Sequence, residues 1–107
     1  MLQRWRTCVS RAYYAIYSAA TDALVQQGIV MPKGKGNPAH KTLPSLVGNN
    51  LSGISHALRW RLAGMVEKLY KLRLMADYQP QVPIEERHAR LALGLMDQAL
   101  ECLRGES

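Results

Sequence analysis

Phenylalanine is absent from the 107 residues, and acids are scarce: eight Asp/Glu stand against fourteen Lys/Arg. Without Phe the packing falls to Leu, Ala, Met and Tyr, a mixture that favours helix over sheet. Only two cysteines occur, Cys8 and Cys102, towards opposite ends of the chain. No CxxC pair and no Cys/His cluster with metal spacing is present, which argues against zinc or any other bound metal. The two thiols read as small buried hydrophobes of a reducing compartment. No stretch reaches the ~18 apolar residues of a membrane span. The start carries Arg4, Arg6 and Arg11 instead of the uncharged apolar run of a secretory signal. The expectation is a soluble cytoplasmic protein with no membrane contact.

Chemistry that depends on short motifs is also missing. There is no HExxH, no GxSxG and no phosphate loop. Lys33-Gly34-Lys35-Gly36 lacks both the preceding strand and the closing GK[ST] of a nucleotide cradle. No cofactor is implied. Lys33 and Lys35 remain as cations that a flexible loop can offer to a phosphate backbone, although a plain linker needs no such role.

What is present begins with uneven charge. Residues 1–41 hold six Lys/Arg against one acid, residues 42–79 five against two, and residues 80–107 three against five. A basic first three-quarters suits a phosphate surface, because each neutralised phosphate releases counterions. It equally suits a protein that needs charge for solubility.

The apolar pattern predicts helices throughout. Leu2, Trp5, Val9, Ala12/Tyr13, Ile16, Ala20 and Ala23/Leu24 form one stripe at steps of three and four, and Gly28 supplies a stop. Residues 29–39, rich in Pro, Gly and Lys, predict a mobile loop. A short helix follows through Leu43, Leu46 and Val47, with Pro44 in its first turn and Gly48-Asn49-Asn50 as its break. Ile54, Leu58, Leu62, Met65, Leu69, Leu72 and Ala76 form a second long stripe that Pro80 and Pro83 end. The last helix is predicted to start near Pro83 and to turn Leu91, Leu95, Ala99 and Leu103 inward. The reading is one all-α domain over residues 1–107, an up-and-down bundle of three long helices and one short one. A core this small leaves a homodimer seam plausible on area alone.

On the second long helix Tyr70, Arg73 and Asp77 share a face at the border of the apolar stripe, and the four-residue spacing of Arg73 and Asp77 permits an ion pair. Such an arginine is a satisfied structural cation or a phosphate ligand. Of the three histidines, His40 follows the loop and can fold back to the Arg73 face; His56 and His88 read as helix-surface residues.

Ser10-Arg11-Ala12-Tyr13-Tyr14-Ala15-Ile16-Tyr17 resembles the SRAYYA-type first helix of HEPN proteins (the higher eukaryotes and prokaryotes nucleotide-binding domain). The later Leu69 to Tyr78, Leu-Tyr-x-x-Arg-x-x-Ala-Asp-Tyr, is similar to the matching segment of that family, and His40 falls where a branch of small stand-alone members also has a histidine. The resemblance runs from Leu2 to Leu103. It implies a helical bundle, commonly a homodimer, that binds or cleaves RNA in toxin–antitoxin or antiviral systems, often beside a nucleotidyltransferase antitoxin. In the ribonuclease members four to six residues stand between an Arg and a following His, two such motifs meet at the dimer cleft, and cleavage needs no metal. Arg73 matches that Arg. The positions for the His hold Tyr78, Gln79 and Pro80; Asp77 lies one residue short, and a carboxylate is a weak base near neutral pH that cannot also donate.

Three functions follow. The first is binding of RNA, nucleotide or a nucleotidyltransferase partner through Arg73, Tyr70, Arg11, Lys33 and Lys35. The second is ribonuclease activity, with Arg73 stabilising the transition state and His40, Asp77 or Tyr78 assisting. The third is a dimeric scaffold in which Arg73 and Asp77 are structural. The missing histidine ranks binding above catalysis and leaves enzymatic activity open.

Overall fold

The computed structural model describes residues 2–29 and 39–105. These residues form four helices and no strand: α1 (Leu2–Gln26), α2 (Leu43–Asn50), α3 (His56–Tyr78) and α4 (Glu86–Leu103). The predicted loop cations Lys33 and Lys35 lie outside the described residues.

Helix α1 ends where its sequence stops offering a right-handed continuation. Gly28 takes φ 81°, the left-handed region open to a residue without Cβ. Its N–H donates to the Val25 carbonyl (2.9 Å) and that of Ile29 to the Leu24 carbonyl (3.1 Å), the paired bonds of a Schellman motif. Helix α3 starts on Ser55, whose hydroxyl accepts from the Leu58 N–H at 3.2 Å. Its far end is closed from a distance. The Arg6 guanidinium of α1 donates to the carbonyls of Met75 (3.1 Å), Ala76 (2.9 Å) and Gln79 (3.4 Å), and beyond them to Pro80 (3.2 Å) and Val82. A cation thus sits on the negative end of the α3 dipole and satisfies carbonyls that Pro80 prevents from continuing a helix.

Two boundaries depart from the sequence reading. Gly48-Asn49-Asn50 does not break α2 but completes it, because Gly48 lies against the Trp60 ring, where a Cβ would come within 2.5 Å of ring carbon. The Asn50 amide also donates back to the Leu46 carbonyl at 3.0 Å. Helix α4 begins at Glu86, not near Pro83. Glu85 and His88 cap it reciprocally, the Glu85 side chain accepting from the His88 backbone and His88 Nδ1 from the Glu85 N–H at 2.9 Å.

The core is one cluster. It takes Val9, Tyr13, Ile16 and Leu24 from α1, Leu43 and Val47 from α2, Leu62, Val66 and Leu69 from α3, and Leu95 and Ala99 from α4. Helix α3 packs on all three others, and α1 packs on α3 and α4. The Arg6 contacts set α1 antiparallel to α3. The grooves that join Arg4–Ala12 to Leu93 and Met96, and Ala23–Gln27 to Leu103, set α1 parallel to α4. The inward stripe of α4 is Ala89, Ala92, Leu95, Ala99 and Cys102. The expected inward Leu91 is instead 53% exposed. Alanines at the centre of that stripe let α4 approach closely, and Leu91 is rotated out of the seam. Cys8 is half-exposed, whereas Cys102 is buried, and burial pushes its thiol pKa up.

Candidate functional site

Residues that share a face of α3 meet residues that share a face of α1. Arg73 is buried to 8% exposure at the border of the α1/α3 seam, as an arginine three residues before Ala76 and four after Leu69 on that helix must be. Its Nε donates to Asp77 Oδ2 at 2.8 Å, the spacing of one helical turn. Its Nη2 donates to the Tyr14 hydroxyl at 2.6 Å and the Tyr78 hydroxyl at 3.2 Å. Asp77 Oδ2 also accepts from the Ser10 hydroxyl at 3.3 Å. The guanidinium lies 5.1 Å from the ring centres of Tyr14 and Tyr78, within cation–π range. Burial disfavours the charge, but the oxygens of Tyr14, Tyr78 and Asp77 outweigh it and hold the pKa above its ordinary value. Nη1 makes no hydrogen bond among the described residues, so two donors of a rigid fork are uncommitted.

The structure brings His40 to the same cluster. Its Nδ1 stands 2.6 Å from the Tyr13 hydroxyl, and its ring lies parallel to Tyr70 (5.9 Å, 6°) and 4.6 Å from Tyr17. Burial, and then the charge of Arg73, lower the His40 pKa below its ordinary 6.5, so the imidazole is neutral at pH 7. Burial raises the Tyr13 pKa, so that hydroxyl keeps its proton. A fully buried hydroxyl needs an acceptor, and the one Tyr13 has among the described residues is His40 Nδ1. Tyr13 therefore donates, Nδ1 accepts, and the imidazole hydrogen sits on Nε2. In this tautomer His40 offers a donor, not a base.

Of the residues expected from sequence, Arg73, Asp77, Tyr78, His40 and Tyr70 gather here. Tyr70 reaches the cluster through His40 and Tyr13, not through Arg73. Arg11 is exposed and lines a neighbouring groove of about 480 Å³ with Thr7, Ser10 and Asp77. His56 lies on the surface beside Arg59 and Trp60, and His88 serves the α4 cap. Sequence reasoning missed Tyr13, Tyr14, Tyr17 and Ser10 as site residues. The available signal was compositional: all five tyrosines of the chain stand in this one cluster. Among the described residues no group of three or more His, Cys, Asp or Glu is placed to hold a metal ion. No helix of the described residues is long and apolar enough to cross a membrane. No family model, curated protein or solved structure matches the chain.

Proposed function

We propose that the chain is a HEPN-like helical protein that binds RNA or a nucleotide at the Arg73 cluster, in a toxin–antitoxin or defence setting, and acts as a homodimer joined near the end of α3. The observation that carries this reading is a buried guanidinium oriented by Asp77 and Tyr14 whose Nη1 is left for a ligand, among exposed or half-exposed aromatic rings. A phosphate suits the remaining fork. Bases stack on aromatic faces with little sequence preference, and Tyr14, Tyr17, Tyr70 and Tyr78 supply such faces. Asp77 is a positioning residue in this account and Nε2 of His40 a second donor.

A metal-independent ribonuclease is the second reading, and His40 is what favours it. The resembled family's imidazole is missing from the end of α3, and His40, in the turn before α2, stands in the same cluster. Acting as base, it must first exchange its hydrogen between ring nitrogens by giving up the Tyr13 bond, which ranks this reading below binding. The dimeric scaffold ranks third, since it gives Nη1 no use.

Titration of labelled single-stranded RNA against wild type, Arg73→Ala and Asp77→Asn tests the site. Loss of one charge-assisted contact predicts about 10- to 100-fold weaker binding for Arg73→Ala, and a smaller loss for Asp77→Asn. Equal RNA binding by wild type and Arg73→Ala ends the site reading. RNA cleavage in EDTA that vanishes in His40→Ala promotes the second. A mass of 12.0 kDa by light scattering at micromolar concentration counts against the dimer.

A further inference from the structure

On the side of α1 away from Tyr13, a groove of about 560 Å³ opens between α1 and α4. Its floor is apolar, formed by Cys8, Ala12, Leu93 and Met96, and its α1 rim carries Arg4 and Arg11. Leu93 is 41% exposed there, and among the described residues no carboxylate lines the groove. The three arginines of the first half of α1 have separate fates. Arg6 is spent on the carbonyls at the end of α3, whereas Arg4 and Arg11 make no ion pair among the described residues. Arg4 is held over the Trp5 ring at 4.1 Å, which fixes its charge at the edge of the groove. Arg4 and Arg11 are seven positions apart, about 10 Å of rise along one helical edge.

We propose that this groove receives an amphipathic helix of a protein partner, with apolar side chains on the floor and carboxylates two turns apart facing Arg4 and Arg11. Two parallel helices with a trough between them are the usual receiver for a third. The charge decides the occupant. A second copy docking through the same face by a two-fold axis sets Arg4 and Arg11 of both copies around one groove with no carboxylate lining it, an uncompensated like-charge contact. A nucleic acid finds both cations on one rim and, beside them, an apolar floor that phosphates do not cover. An acidic helix satisfies both features; its apolar floor is separate from the Arg73 cluster, and Arg11 stands at the border of the two, lining also the groove that reaches Asp77.

The test uses a fluorescent synthetic helix of about five turns, with Leu on one face and Glu two turns apart on the flank, and a twin with Lys for each Glu. Anisotropy reads affinity, and the alkylation rate of half-exposed Cys8 locates the binding, with buried Cys102 as the internal control. The expected result is about tenfold tighter binding of the Glu peptide than of the Lys twin, with Cys8 protected. In Arg4→Glu/Arg11→Glu the preference reverses. Leu93→Ser, on an exposed position that the fold does not need, weakens both peptides. Binding of neither peptide, equal binding of both, protection of Cys8 by anionic vesicles but not by the peptide, or Cys8 protection that rises with protein concentration as the mass doubles each overturns the proposal.

Discussion

Arg6 is the side chain whose removal tests the account of the fold most directly. Its guanidinium spans the last turn of α3 and the turn after it, accepting no help from any acid: every partner is a backbone carbonyl. A hydrogen bond with one charged member contributes about 1.5–3 kcal/mol. Five contacts do not add to five such terms, because Gln79 and Pro80 are exposed and water replaces the arginine there. The Met75, Ala76 and Val82 carbonyls are partly buried and lose most. Adding the cation's interaction with the helix end, Arg6→Ala is expected to lower stability by about 2–3 kcal/mol. For a domain of this size that corresponds to a midpoint about 10–15 °C lower. Arg6→Lys recovers less than half, since an ammonium cannot span carbonyls on both sides of the chain reversal. Thermal and urea unfolding followed by circular dichroism give both numbers, and an unchanged urea slope shows that the shifted midpoint is a change of stability. If Arg6→Ala stays within about 0.5 kcal/mol of wild type, the carbonyls are as well served by water and the reasoning fails.

Gly48→Ala drives a Cβ into the Trp60 ring and is expected to cost about 1–3 kcal/mol, with a change in Trp fluorescence that marks the displaced indole. Leu91→Ser is expected to fall within about 0.5 kcal/mol of wild type, whereas Leu95→Ala costs about 2–5 kcal/mol; urea midpoints that rank them the other way refute the orientation of α4. Glu85→Ala removes the acceptor of the α4 cap and is expected to cost about 0.5–2 kcal/mol, read from the thermal midpoint. A histidine whose pKa is depressed on folding binds fewer protons folded than unfolded, so stability is full above about 6.5 and is lost as pH falls towards the folded pKa. Unfolding series from pH 7 to pH 5 are therefore expected to show a steeper loss for wild type than for His40→Gln, and parallel losses refute the burial of that ring.

The long helices were legible because their apolar residues recur at three and four, and Gly28 and Pro80 punctuate them with unambiguous backbone preferences. Positions where tertiary contacts outvote local signals were not legible. Gly48-Asn49-Asn50 reads as a break until Trp60, twelve residues on, is seen to need the space a glycine leaves. Leu91 belongs by spacing to the same period as Leu95, but the stripe is centred on Ala92 and Ala99, and small residues at close contact look like filler in a sequence. The site divides in the same way. Arg73 and Asp77 sit one turn apart and announce their pairing. Tyr14 lies 59 residues from Arg73, and Tyr13 lies 27 from His40, separations that no local rule spans.

Those separations also govern when the site comes into being. An isolated α3 holds Arg73, Asp77 and Tyr78 and nothing from the first helix. An isolated α1 holds Tyr13, Tyr14 and Tyr17 without the cation they surround. A chain that stops before residue 73 therefore has the tyrosines of its first helix and no fork to offer a ligand. The Arg6 carbonyls reach to Val82, so the closure that seats α1 on α3 is complete only a few residues later still. The closing of a long loop precedes any reward from the contacts it makes. Ligand competence in this sense waits for the end of α3 and the turn to Val82, and a product that stops short of Arg73 lacks the cluster however helical it is.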